Sequence, residues 1–143
     1  MKKILLLGWG LGLLAACSSD NVRYRNPYLP DYSFSVTIDE NLPTNSGLTI
    51  PMNPVYINNG TSGVSGIIVM RVSSTDYRAW EAACPNEAPK PCSTMDIDGL
   101  NAVCTCTEPN HTYSLFDGTG PYQYTMRPYR VEVIDDRHIR VYN

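Results

Sequence analysis

Tyr32-Ser33-Phe34-Ser35-Val36-Thr37-Ile38 alternates without a break, with Tyr32, Phe34, Val36 and Ile38 on one side of an extended chain and Ser33, Ser35 and Thr37 on the other. A period of two is that of a half-buried β-strand, one face toward a core and one toward water. Outward from this stretch the same pattern recurs. Val55-Tyr56-Ile57 is a short extended run, Asn58-Asn59-Gly60 turns the chain, and the apolar run from Gly66 to Val72 reads as a central strand. Tyr77 to Ala83 predicts another short strand. Met95-Asp96-Ile97 and Leu100 to Cys104 flank Asp98-Gly99, a tight-turn signal for a hairpin, and Tyr113 to Phe116 also ends at an Asp-Gly pair. The chain closes with Tyr129 to Ile134, an Asp135-Asp136 turn and His138 to Tyr142, a second hairpin. No stretch has a helical period. Ten tyrosines against two phenylalanines, with eleven prolines and ten glycines, agree with many strands and turns. The expected fold is all-β, a small antiparallel domain.

The N-terminus carries a different signal. Lys2 and Lys3 precede an apolar run from Ile4 to Ala16 that is too short to cross a bilayer as a helix, and it reads as a signal peptide. The run ends in Leu14-Ala15-Ala16-Cys17, which resembles the lipobox of bacterial lipoproteins. The resemblance implies removal of residues 1–16 and a diacylglyceryl group on the Cys17 thiol. Each buried methylene is worth ~0.8 kcal/mol, so several acyl chains give lasting attachment, and the protein is expected to be exported and lipid-anchored rather than membrane-spanning. Asp20 stands three places after Cys17 and not next to it, which by analogy with lipoprotein sorting points to the outer membrane. Residues 17–30 are polar and proline-bearing and read as a flexible tether, leaving residues 31–143 as one domain.

Losing both signal lysines leaves nine basic against fourteen acidic residues, a net charge of −5. Arg127, Arg130, Arg137 and Arg140 are dispersed and read as solvated faces of strands, so nucleic acid is not an expected partner. Two histidines, no nucleophile in a recognisable elbow and no glycine-rich phosphate loop leave nothing from which to build a catalytic triad or a nucleotide site. Asp96/Asp98 and Asp135/Asp136 flank turns, where Asp bonds the local backbone. Asn59-Gly60-Thr61 and Asn110-His111-Thr112 fit the N-glycosylation pattern by chance in a bacterial chain. Tyr122, Tyr124 and Tyr129 read as core and cross-strand packing, with a partner or glycan surface as the alternative. No enzymatic activity is expected.

Four cysteines remain beyond Cys17: Cys84, Cys92, Cys104 and Cys106. An even number in an exported chain suggests disulfides. Three pairings are open. Cys104 and Cys106 each find a partner more easily in the other segment, so two bridges between the segments are expected.

The order Cys84-Pro85-Asn86, Cys92, Cys104-Thr105-Cys106-Thr107 and Tyr113-Ser114-Leu115-Phe116-Asp117-Gly118 resembles the two cluster-binding loops of the Rieske [2Fe–2S] family. Pro121 and Arg127-Pro128-Tyr129-Arg130-Val131-Glu132-Val133, with a turn and a last strand, are similar to that family's closing segment. The resemblance covers about Gly66 to Tyr142, and the tether with such a domain is similar to small lipoproteins of Bacteroidetes-type bacteria. It implies that Cys84 and Cys104 occupy the two cysteine-ligand positions, and that Cys92 and Cys106 occupy those of the disulfide tying the loops. The two histidine positions fall on Asn86 and Thr107. A Rieske centre holds one iron through two imidazoles, which an amide and a hydroxyl do not replace. The positions Cys84, Asn86, Cys104 and Thr107 are therefore read as vestigial, with no cluster and no other metal or cofactor expected. The implied pairing without iron is Cys92–Cys106 and Cys84–Cys104.

The alternative is an electron carrier whose [2Fe–2S] cluster persists on Cys84, Cys104 and His111. Zinc is disfavoured because the spacing lacks paired Cys-x₂-Cys knuckles, and thiol oxidoreductase chemistry of the Cys-x-x-Cys type because neither that spacing nor its helix is present. The chain reads as a structural, binding or accessory envelope protein, its partner an unidentified envelope protein or glycan.

Overall fold

A computed structural model describes residues 25–143. The stretch read as a signal peptide, Cys17 and most of the stretch read as a tether lie outside the described residues. Nine strands follow in chain order: β1 (Ser35–Asp39), β2 (Val55–Ile57), β3 (Ile67–Arg71), β4 (Tyr77–Glu81), β5 (Asp96–Asp98), β6 (Asn101–Cys104), β7 (His111–Ser114), β8 (Pro128–Val133) and β9 (His138–Tyr142). Among the described residues the only helical turn is a 3₁₀ turn at Ser46–Thr49, so the fold is all-β as its alternation requires. Every strand pairing is antiparallel. A six-stranded sheet in the order β1-β9-β8-β4-β3-β2 curls into a half-barrel, and β5-β6-β7 form a separate three-stranded sheet.

The continuous apolar run of β3 has a specific cause. Ile67 and Val69 point into the half-barrel core with Ile38, Leu48, Tyr77, Ile139 and Val141. Ile68 and Met70 point the other way, into a second core with Trp80, Tyr113, Leu115, Met126 and two of the cysteines. A strand buried on both faces cannot alternate, and β3 therefore has no polar residue before Arg71. The two cores share this strand as a common wall. Trp80 fixes the second core: its indole N–H donates to the Leu115 carbonyl at 2.9 Å, and its ring lies where a Cβ on Gly118 would stand 2.5 Å away. Gly118 has φ +72°, so the Asp-Gly pair after β7 meets a steric and a conformational need with one residue.

Several expectations shift in detail. Tyr32 is 54% exposed and precedes β1, because the last residue of β9 in register, Tyr142, stands opposite Ser35. Upstream residues have no neighbouring strand to complete the alternation. In the β5–β6 hairpin, Asp98 pairs with Asn101, so the two-residue loop is Gly99-Leu100, one position later than the Asp-Gly signal suggests. Gly99 at φ +58° is the residue that permits it.

Residues 26–30 also differ from the tether reading, since Asn26 and Leu29 are buried against the domain. The Asn26 amide donates to the Pro85 carbonyl at 2.6 Å. Arg127 is buried too and is no solvated strand residue: its guanidinium donates to the Leu29 carbonyl at 2.7 Å and to that of Pro30. The packed domain thus begins upstream of Asp31.

Candidate functional site: the cysteine loops

Two loops meet where the chain leaves β4 for the three-stranded sheet. The first links β4 to β5 and carries Cys84 and Cys92; the second links β6 to β7 and carries Cys106, with Cys104 closing β6. Cys84 is placed by backbone bonds at the end of β4, where its N–H donates to the Ser93 carbonyl at 2.7 Å and folds the first loop back on itself. Cys104 stands opposite His111 across the β6–β7 ladder.

The cysteines form two disulfides, Cys84–Cys104 with Cα atoms 5.7 Å apart and Cys92–Cys106 at 5.4 Å. Both join one loop to the other, the cross-segment arrangement that the cysteine spacing favours. Their surroundings differ. Cys84 and Cys104 are 1% and 0% exposed and belong to the second core, whereas Cys92 is exposed and Cys106 half-buried. The site is layered, with an inner bond in the core and an outer bond at the surface.

Asn86 and Thr107, where the resemblance would place histidines, both make side-chain hydrogen bonds. The Asn86 amide nitrogen donates to the Tyr113 hydroxyl and the Tyr124 carbonyl, both at 2.8 Å, and its oxygen accepts the Tyr124 N–H at 2.9 Å. Asn86 thus stitches the first loop to the segment before β8. The Thr107 hydroxyl donates to the Cys104 carbonyl at 3.3 Å and accepts the His111 N–H at 3.0 Å, shaping the turn after β6. The His111 ring stacks on Tyr122 with centroids 3.8 Å apart.

Glu87 went unnoticed in the sequence. It is the third member, with Cys84 and Cys104, of a group of metal-ligating side chains whose donor atoms lie within 4.8 Å of one another. Its carboxylate sits 3.4 Å from the Cys104 sulfur. A disulfide sulfur has no proton to give, so this is a contact and not a hydrogen bond. The same carboxylate accepts from the Ser93 hydroxyl at 3.2 Å and pairs with the Lys90 ammonium at 3.0 Å. With both sulfurs bonded to each other, the group offers a metal one carboxylate and no thiolate.

Glu81, at the end of β4, was also missed. It is 0% exposed, and its two oxygens accept the N–H groups of Val64, Ser65 and Ala83 and the Tyr129 hydroxyl at 2.6–3.0 Å. Burial, then the charge and hydrogen bond of Glu81, push the Tyr129 hydroxyl far above the usual tyrosine range. This carboxylate positions the loop preceding β3 and the start of the first cysteine loop together. The signal that marks it is an acidic residue within a strand whose apolar members are all buried.

Among the described residues no helix is long and apolar enough to cross a membrane. No protein-family model and no curated protein matches this chain.

Proposed function

We propose that this protein is a lipid-anchored component of the bacterial cell envelope, held to the membrane through Cys17. Its Rieske-like domain has lost the iron–sulfur cluster and keeps the two loops as a disulfide-stapled structural or binding tip. It acts as an accessory or binding protein rather than as an enzyme, with an envelope protein or glycan as partner. The observation that carries this reading is the fate of the four ligand-equivalent positions. Cys84 and Cys104 are bonded to each other, and Asn86 and Thr107 have their polar atoms committed to Tyr113, Tyr124, Cys104 and His111. Those residues do not fit a [2Fe–2S] group: one iron would lack imidazoles and the other its thiolates. His111 stacks on Tyr122, and the third donor grouped with the two sulfurs is the Glu87 carboxylate.

The test is the visible spectrum and iron content of the full chain, expressed with its signal peptide and extracted from membranes with detergent under anaerobic conditions. The reading expects colourless, iron-free protein in the membrane fraction, with a Cys17→Ser variant released from it. Visible absorption with two irons per chain would replace this reading with that of an electron carrier.

A further inference from the structure

We infer that the outer disulfide, Cys92–Cys106, is a thiol-exchange site that accepts electrons from an exported dithiol, while the inner one, Cys84–Cys104, stays closed. The inference rests on the disulfide-stapled reading proposed above. Exchange requires a thiolate to reach a sulfur in line with the bond it breaks. Cys92 is exposed at the far end of the first loop, whereas Cys84 and Cys104 are 1% and 0% exposed within a packed core. The surroundings of the two bonds add to this difference. The Glu87 carboxylate, 3.4 Å from the Cys104 sulfur, opposes negative charge arriving or developing there.

At the outer bond the Ser93 hydroxyl lies 3.9 Å from the Cys106 sulfur. Its oxygen accepts the Lys90 N–H and its one proton goes to the Glu87 carboxylate at 3.2 Å, from which it can turn to the Cys106 sulfur as a thiolate forms there. The asymmetry assigns the direction of attack: the incoming thiolate meets Cys92, and Cys106 leaves beside a hydroxyl donor. A sulfur–sulfur bond to Cys92 forms as Cys92–Cys106 breaks, and the Cys106 thiolate takes a proton from solvent. The donor's second thiol then attacks the mixed bond and releases the Cys92 thiolate, which is protonated in turn. The donor is oxidised by two electrons and the Cys92–Cys106 bond is reduced by two. The inner bond continues to hold the loops, so the surface half of the tip is freed without unfolding the domain.

The experiment treats the oxidised, full mature chain with reduced glutathione in one arm and with a thioredoxin-type dithiol protein in the other. Both are quenched in acid with an alkylating reagent and mapped by peptide mass. The expected result in the first arm is glutathione on Cys92 and alkylation at Cys106, with the Cys84–Cys104 peptide intact. In the second arm both outer cysteines are alkylated. Ser93→Ala slows the first step roughly three- to tenfold, the size of a lost hydrogen bond to the leaving sulfur. Simultaneous opening of both bonds, glutathione on Cys106, or prior opening of Cys84–Cys104 would overturn the inference while leaving the disulfide-stapled reading in place. Free thiols or iron in the untreated protein would instead remove the reading on which it rests.

Discussion

Replacing Asn86 by Ala measures what its hydrogen bonds to Tyr113 and Tyr124 hold together. Three hydrogen bonds disappear, two donated by the side-chain nitrogen and one accepted by its oxygen. One of the groups that loses a bond, the Tyr113 hydroxyl, belongs to a side chain only 1% exposed. The other two are the Tyr124 N–H and C=O, on a half-buried residue that water reaches in part. At about 0.5–1.5 kcal/mol per bond, with the Tyr113 hydroxyl at the upper end, the loss is about 2–4 kcal/mol. That is a large share of the total of about 5–15 kcal/mol expected for a single domain. In urea the midpoint of the oxidised domain should fall by about 1–2 M with an unchanged slope. Asn86→His should also destabilise, because a neutral imidazole offers one donor and one acceptor where the site uses two and one. A midpoint within about 0.3 M of the parent for Asn86→Ala would refute the reasoning. Asn86 would then be a bystander that does not hold the first cysteine loop in place.

The same accounting applies elsewhere. Glu81→Gln keeps the shape but turns an NH₂ toward two donors, one of them buried, so the melting temperature should drop by roughly 10 °C or more in a thermal scan. Replacing Cys84 and Cys104 together by Ala frees a loop closed over a sequence separation of 20 residues. The chain-entropy cost is about 3 kcal/mol, read from urea midpoints against the parent. His138 sits between Asp135 and Asp39, and its hydrogen bond to Asp135, followed by the charges of both, raises its pKa above the ordinary 6.5. Its contribution is therefore fully present below about pH 6.5 and is lost as pH rises through the raised value. Urea midpoints measured across that range should decline with pH in the parent and flatten in His138→Gln.

The all-β class was legible because alternation and turn pairs depend on neighbours in the chain. Val55-Tyr56-Ile57, the β3 run and the closing hairpin all form strands. The cysteine spacing narrowed the bridges to the two segments, and the likeness of the loops to a known pattern implied the pairing that is observed. What escaped depends on partners distant in sequence. Arg127 looked like one of four dispersed surface arginines and is instead buried under carbonyls 97 and 98 residues upstream. Asn26 and Leu29 looked like linker for the same reason, since nothing local shows that Pro85 and Arg127 await them. Glu87 was hidden by its polar, proline-rich surroundings, where an acidic residue is unremarked until the fold brings the Cys104 sulfur beside it. Glu81 was the more readable of the two, an acidic residue among Tyr77, Ala79, Trp80 and Ala82, all of them buried.

The central claim is that the four domain cysteines are closed upon one another and hold no iron. The most direct measurement is the intact mass of the mature domain, acid-quenched on anaerobic extraction, before and after reduction. Two disulfides predict a mass that rises by four hydrogens on reduction and no alkylation of domain cysteines beforehand. Two or four cysteines already alkylated in the unreduced sample, with iron released into the quench, would contradict the account.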